Sequence, residues 1–248
     1  MGYVFDFNDA KAYERWYNNQ RNRFEADLQN RLLLDMLKAG RGETVLDIGC
    51  GIGESLRRFV DLGLQATGLD PSPYMLDITL KKLGERVDLY RGFSEDLPFD
   101  DNSFNHAVLS TTLEFVDDPQ KSVEEACRVA KDRVFIGVLN RYAIKGIQRR
   151  LKGMFTASIY NHAKFYGIWE LKKIVRHVLG QAPVAWRTVC QLPDPTGNFS
   201  QSLEQSRLVQ RCPFGAYVGM VITLIPRFRT RTLAIRYQPK HTTGTITG

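Results

Sequence analysis

Apolar and polar positions along the chain alternate between two rhythms. Val45, Leu46 and Ile48 form a short apolar run that reads as a buried strand. Three alternating glycines, Gly49, Gly51 and Gly53, end it. Leu56, Phe59 and Val60 then recur on one helical face up to Gly63. The same order follows downstream. A second strand covers Ala66 to Leu69 and ends at Asp70, and Ser72 and Pro73 read as the N-cap and first residue of a helix. Strands at Val87 to Tyr90 and Phe104 to Leu109 precede a helix capped by Asp118, opened by Pro119, with Val123, Ala126, Cys127 and Ala130 inward. Val134 to Leu139 is the fifth strand. Strand alternating with helix predicts an α/β fold built on a doubly wound, mostly parallel sheet with right-handed crossovers.

The flanks carry different patterns. Met1 to Asn22 is rich in aromatics, and Tyr13, Trp16 and Tyr17 share one helical face. That face either packs on the domain or lids a ligand. Phe24, Leu28, Leu32 and Met36 predict a long amphipathic helix ending at Gly40. From Asn140 to Asn161 the pattern loosens, Ile168 to Leu179 reads as a helix, and Val184 to Gln191 and Ala216 to Leu224 read as a closing antiparallel hairpin. The polar loop Pro193 to Phe214 between them is a candidate lining for a substrate mouth. The expected organisation is an N-terminal helical lid or entry over 1–40, a ligand-binding core over 41–140, a helical cover and last core helix over 141–183, C-terminal strands over 184–226, and a basic tail over 227–248 with a frayed, low-complexity end.

Composition narrows the setting. With 248 residues, 43% hydrophobic and 25% charged, one α/β domain with a sizeable core is expected. The longest apolar run, Phe214 to Pro226, is too short for a membrane span of about 20 residues. No charged-then-apolar leader opens the chain, so secretion is not expected. Cys50, Cys127, Cys190 and Cys212 lie far apart without metal spacing and read as reduced thiols of a cytoplasmic protein. The net charge of +7 concentrates in Arg141 to Lys152 and Arg227 to Lys240. Such stretches suit a solvated surface, membrane-surface contact through the basic insert, an acidic substrate, or RNA.

The glycine turn is the chemical signal. Glycines let another molecule lie against bare backbone, and a helix start offers unpaired N–H groups. A dinucleotide fingerprint would need a third glycine where Glu54 stands, and no phosphate loop is present. Glu54 and Asp47 instead suit a ligand carrying an ammonium or sulfonium charge. Asp70 stands 21 positions after Gly49, close to the roughly 20 expected for a ribose-binding carboxylate.

These residues resemble the class I methyltransferases that use S-adenosylmethionine (SAM), in the small-molecule group called type 11. The resemblance rests on Val45 to Gly53, Gly68 to Leu76, Glu95 to Phe99 and Leu113 to Pro119, and covers roughly residues 40–140. It implies a seven-stranded Rossmann-like sheet with an antiparallel last strand, SAM as cofactor and S-adenosylhomocysteine (SAH) as product. It places Asp47, Gly49, Cys50, Gly51, Gly53, Asp70, Pro71, Met75, Phe93, Ser94, Glu95, Ser110 and Thr111 around that cofactor. Met75 would pack on adenine or serve the core. Many relatives carry an aspartate for the adenine amino group where this chain has Phe93, so Phe93 would stack while Ser94 or Glu95 reads the polar edge.

Methyl transfer is an in-line displacement in which alignment matters most, so a catalytic dyad is not required. No convincing one is visible. Glu114, which replaces a common histidine of relatives, Tyr13, Tyr17 and His162 are the catalytic candidates, with Asn140, Tyr160 and Tyr166 nearby in the pattern. No His/Asp/Glu cluster has metal-ligand spacing. Ser110-Thr-Thr-Leu113 lacks both the Asn-Pro-Pro-Tyr and the Pro-Cys signatures of base-modifying enzymes, which disfavours nucleic acid. The expected reaction is methylation of a small molecule; an RNA-modifying methyltransferase and a non-catalytic SAM/SAH-binding protein are the alternatives. The sequence leaves the oligomeric state open.

Overall fold

A computed structural model describes residues 2–143, 162–191, 204 and 206–224. Two helices open the chain, α1 (Phe7–Asn18) and α2 (Gln20–Leu37). The body continues with β1 (Thr44–Ile48), α3 (Glu54–Asp61), β2 (Gln65–Asp70), α4 (Pro73–Leu83), β3 (Asp88–Arg91), β4 (Phe104–Ser110), α5 (Pro119–Val129) and β5 (Ala130–Leu139). Helix α6 (Ile168–Leu179) and strands β6 (Val184–Val189) and β7 (Tyr217–Thr223) follow among the described residues.

The seven strands form one sheet in the order β3-β2-β1-β4-β5-β7-β6. The first five pair in parallel, and β7 runs antiparallel between β5 and β6. Successive strand residues point to opposite faces, which splits the core in two. On one face α2 and α3 bring Leu32, Leu33, Leu56 and Phe59 against Val45, Val108 and Phe135. On the other, α5 and α6 bring Val123, Ala126, Leu171 and Val175 against Leu46, Leu109, Ile136 and Met220.

The helix starts follow local chemistry. Asp6 caps α1 in a reciprocal box with Asp9, Ser72 accepts the Met75 N–H ahead of Pro73, and Asp118 accepts the N–H groups of Gln120 and Lys121. Most strand boundaries differ from the sequence expectation by a residue, and three differences have a backbone reason. Helix α2 stops at Leu37, before Gly40, because Lys38 turns left-handed at φ 52°. Strand β6 stops at Val189, before Gln191, because Cys190 adopts φ 62°. Ala130, expected on the inward face of α5, instead opens β5 by pairing with Phe104.

Tyr217 on β7 is fully buried and its ring lies over Gly137 of β5, where a Cβ would fall 1.8 Å from the hydroxyl. That hydroxyl meets Ser110 Oγ at 2.7 Å, at the end of β4. The close approach binds the antiparallel pair to the strand ends where the cavity lies.

No helix among the described residues is long and apolar enough to cross a membrane. All four cysteines are free. Of the basic stretches, Arg141 is described and bonds Glu170 and the Phe165 carbonyl. The basic residues 145–152, Tyr160, the tail 227–248 and most of the Pro193–Phe214 loop lie outside the described residues.

Candidate functional site

The carboxyl ends of β1, β2 and β4 open into a cavity of about 400 Å³. Its floor is the turn between β1 and α3. Gly51 sits there at φ 53°, and a Cβ would meet nothing within 4 Å, so bare backbone faces the open space. Gly49 also lines the cavity but is fixed by packing, since a Cβ there would approach Thr112 to 2.6 Å. Gly53 does not line the cavity; it permits the close approach of α3 to Thr79, whose methyl would lie 2.6 Å from any Cβ at this position. The expected cradle role of Gly53 is thus a packing role.

Two carboxylates stand at this floor. Asp70, ending β2, accepts the Gly51 N–H on Oδ2 and the Ser72 N–H on Oδ1, both at 2.9 Å. Burial pushes it up to about 6 despite those two bonds. Asp47 is buried with no partner for Oδ2, and burial, with Asp70 nearby, raises it to about 7. An orphaned buried carboxylate oxygen in a cavity has a physical use if a ligand brings a donor or positive charge to it. Glu54, expected to suit a cationic ligand, is already occupied within the protein. Its two oxygens are matched by Arg57 at 3.3 Å and Lys82 at 3.1 Å.

The adenine-side candidates also line the cavity. Met75 and Ser94 are buried there, Pro71 is partly so, and Phe93 remains exposed at the rim. Ser94 Oγ contacts Ser122 Oγ at 2.8 Å and donates to Glu95 at 2.9 Å. The other Glu95 oxygen accepts the Asp117 N–H, so this carboxylate ties two loops together. Cys50, Ser110 and Thr111 complete the expected set. Thr111 is held at φ 55°, an uncommon conformation for a β-branched residue. Its N–H reaches the Gly137 carbonyl at 2.8 Å.

The N-terminal segment closes the outer side. Gly2 to Phe5 runs across the opening, with the Tyr3 N–H on the Phe115 carbonyl (2.8 Å) and Ser72 Oγ donating to the Phe5 carbonyl (2.6 Å). Tyr3, Phe5, Tyr13, Trp16 and Phe115 make that wall aromatic. Phe5 meets Phe115 edge-on at 5.0 Å, and Tyr13 stacks on Trp16 at 5.7 Å. The opening aromatics thus line the cavity as well as packing on the domain.

The catalytic candidates divide. Tyr13 and Tyr17 line the cavity. Glu114 does not: it is buried outside the cavity lining, where Oε1 accepts the Leu139 N–H at 2.6 Å. Burial raises it to about 8, so it holds a proton at neutral pH. His162 lies behind the wall, stacked on Tyr3 at 4.2 Å. Asn140 and Tyr166 are also spent on the fold, Asn140 on the Pro213 and Gly215 carbonyls and Tyr166 on the Leu113 carbonyl. No metal-holding group of His, Cys, Asp and Glu occurs among the described residues.

Several cavity residues escape sequence reasoning. Gln29 and Asn30 on α2 read as solvent-facing, because the apolar stripe of that helix points elsewhere. Leu139, an apolar strand end, carries no polar or glycine signal of its own. Tyr3 and Phe5 did have one, in the density of aromatics at the start of the chain.

Residues 46–136 match the family described as methyltransferase domain. An uncharacterized protein of Methanocaldococcus jannaschii is 30% identical over 177 residues, 71% of this chain and 80% of that one. The demethylmenaquinone methyltransferase of Renibacterium salmoninarum is 37% identical over 101 residues, 41% of this chain and 42% of its own length. The chain therefore spans less than half of that second relative. A solved SAM-dependent methyltransferase of Thermotoga maritima shares the fold with a TM-score of 0.67 and 24% identity, covering 88% of this chain and 97% of that one. The matched segment runs from β1 through β5 and contains the glycine turn, both floor carboxylates and the strand ends that border the cavity. With that architecture and those relatives, the chain belongs to the class I SAM-dependent methyltransferases, in the type 11 group.

Proposed function

We propose that the acceptor is a small molecule with an apolar portion, methylated by in-line displacement within this cavity. The observation that carries this reading is the aromatic N-terminal wall: Tyr3, Phe5, Tyr13, Trp16 and Phe115 line the cavity at the strand ends and offer an apolar surface to an acceptor. The demethylmenaquinone methyltransferase among the relatives supports the same acceptor class.

The residues present fit the cofactor. The orphaned Asp47 oxygen suits its ammonium, Asp70 suits the ribose diol, and the Gly51 main chain leaves room beside them. When bound, SAM supplies an activated methyl carbon on sulfonium. The chain's own part is to bind, orient and exclude water. A base is required only for an acceptor that keeps its proton. Incubation with methyl-labelled SAM, a lipid-soluble metabolite extract and total RNA tests the proposal. Label is expected in a small, solvent-extractable product; label in RNA overturns the acceptor class, and SAH binding without any transfer identifies a non-catalytic binder.

The buried carboxylates add a pH dependence. Asp47, Asp70 and Glu114 sit at about 7, 6 and 8, all above their ordinary values. A carboxylate raised by folding contributes stability that is complete below its ordinary value and is lost as pH rises through the raised one. The ligand-free protein is therefore expected to lose on the order of a few kcal/mol between pH 5.5 and 8.5. Glu43 and Glu125 are lowered, so their opposite contribution falls away only under more acidic conditions. Saturating SAH should narrow the loss, because a cation beside Asp47 favours its ionised form. Thermal melts across this range check the sign; a ligand-free protein that grows more stable toward pH 8.5 contradicts it.

A further inference from the structure

A second concavity, of about 330 Å³, lies at the edge of the sheet between α2 and β6. It shares no lining residue with the cavity at the strand ends. Leu28, Arg31, Leu32 and Asp35 of α2 line it, at the spacing of one helical face. Arg187 and Val189 come from β6. Arg207 and Gln210 belong to the loop expected at a substrate mouth, and they line this groove instead.

The groove combines an apolar floor with gathered positive charge. Leu28, Leu32 and Val189 are buried and supply the floor. Three guanidiniums share the lining with two carboxylates, and both carboxylates are engaged. Asp35 pairs with Arg187, which joins α2 to β6. Glu204 is 1% exposed and accepts the Cys190 N–H at 3.0 Å. The guanidiniums of Arg31 and Arg207, both exposed residues, make no ion pair or hydrogen bond among the described residues. Like charges gathered in one groove repel, so this arrangement gains from an anion.

The segment that carries Arg207 is held from within. The Gln210 side chain donates to the Glu204 carbonyl at 3.1 Å, and its N–H reaches the Ser206 carbonyl at 3.0 Å. Thr188 Oγ1 of β6 donates to the Cys212 carbonyl at 2.5 Å. The arginines therefore stand on three separately anchored pieces of chain.

We infer that this groove is a second binding site, which takes a small phosphate monoester whose organic part rests on the apolar floor. A guanidinium presents a planar fork of N–H donors that matches phosphate oxygens. Two uncommitted guanidiniums match the roughly −1.5 to −2 charge of a monoester at neutral pH, whereas a carboxylate brings a single charge. The site is independent of the acceptor proposed above.

Phenyl phosphate and benzoate carry the same apolar ring and differ in the anion. Helix α2 also walls the cofactor cavity through Gln29 and Asn30, so the titration is made with SAH at saturation. Calorimetry on the full chain should show phenyl phosphate binding at one molecule per chain, and benzoate about fivefold more weakly or less. Arg31→Gln and Arg207→Gln should each weaken phenyl phosphate about fivefold or more, with SAH affinity held within about twofold. Arg15→Gln, an exposed position on α1 outside both sites, removes the same charge and should change nothing. Absence of phenyl phosphate binding, full affinity in either groove variant, or an equal loss in Arg15→Gln overturns the site. Benzoate binding as tight as phenyl phosphate overturns the phosphate assignment.

Discussion

Asp70→Ala is expected to weaken SAH binding about a hundredfold while leaving a folded protein. A ribose diol donates two hydrogen bonds to a carboxylate, and bonds to a charged acceptor contribute roughly 1.5–3 kcal/mol each. Even the lower end of that range, summed, is about 3 kcal/mol, or roughly two decades in affinity. The effect on folding is smaller because two terms oppose. Alanine leaves the Gly51 and Ser72 N–H groups without their acceptor. It also removes a buried carboxylate that ionises reluctantly, which is a relief at alkaline pH. Calorimetry at pH 8 beside a melting curve separates the two. Parent-like affinity in the variant would remove Asp70 from the sugar site.

The largest effect on the fold itself is expected from Gly137→Ala. The added methyl would lie 1.8 Å from Tyr217 Oη, 2.5 Å from its Cζ and 2.9 Å from Phe135 Cε1. None of these can retreat cheaply. Tyr217 is fully enclosed, and Gly137 is paired on both sides, with Ser110 and with Gly219. Gly219 is itself tight, at 2.8 Å from Leu32 to a hypothetical Cβ, so the strand cannot shift that way. Overpacking of this severity exceeds the usual 1–3 kcal/mol. Urea denaturation should show a loss above about 3 kcal/mol, or no cooperative transition at all. Adding Tyr217→Leu should recover part of it, since the methyl then has somewhere to go. An alanine variant as stable as the parent would show that the ring does not occupy the place described.

Much of this was legible in the chain. The strand–glycine–helix sequence at Val45 to Val60 announced both a crossover and a ligand site, because buried strands, left-handed turns and amphipathic helices each have their own residue chemistry. Ser72-Pro73 and Asp118-Pro119 marked helix starts for the same reason. What stayed hidden was whatever depends on non-local packing. Glu114 reads as a cavity acid in sequence, but its side chain turns to the Leu139 N–H instead. Gly53 looks like a third cradle glycine until Thr79 is seen against it. Lys38 and Cys190 end their elements in left-handed conformations that their residue types do not advertise. Gln29 and Asn30 on α2 were invisible as cavity residues for a further reason: a polar residue on an amphipathic helix has the same pattern whether it faces water or a cavity.

The position of β7 has a consequence for how the chain is made. Its partner β5 is complete at Leu139, but Arg133 must wait for Thr223 before its ladder can close. Throughout synthesis of the intervening stretch, β5 presents a bare, wholly apolar edge from Val134 to Leu139. Such an edge is a template for another strand, and pairings so distant in sequence form slowly. The nascent protein on the ribosome is thus most open to self-association just before β7 emerges, which makes that interval the one where a chaperone matters most.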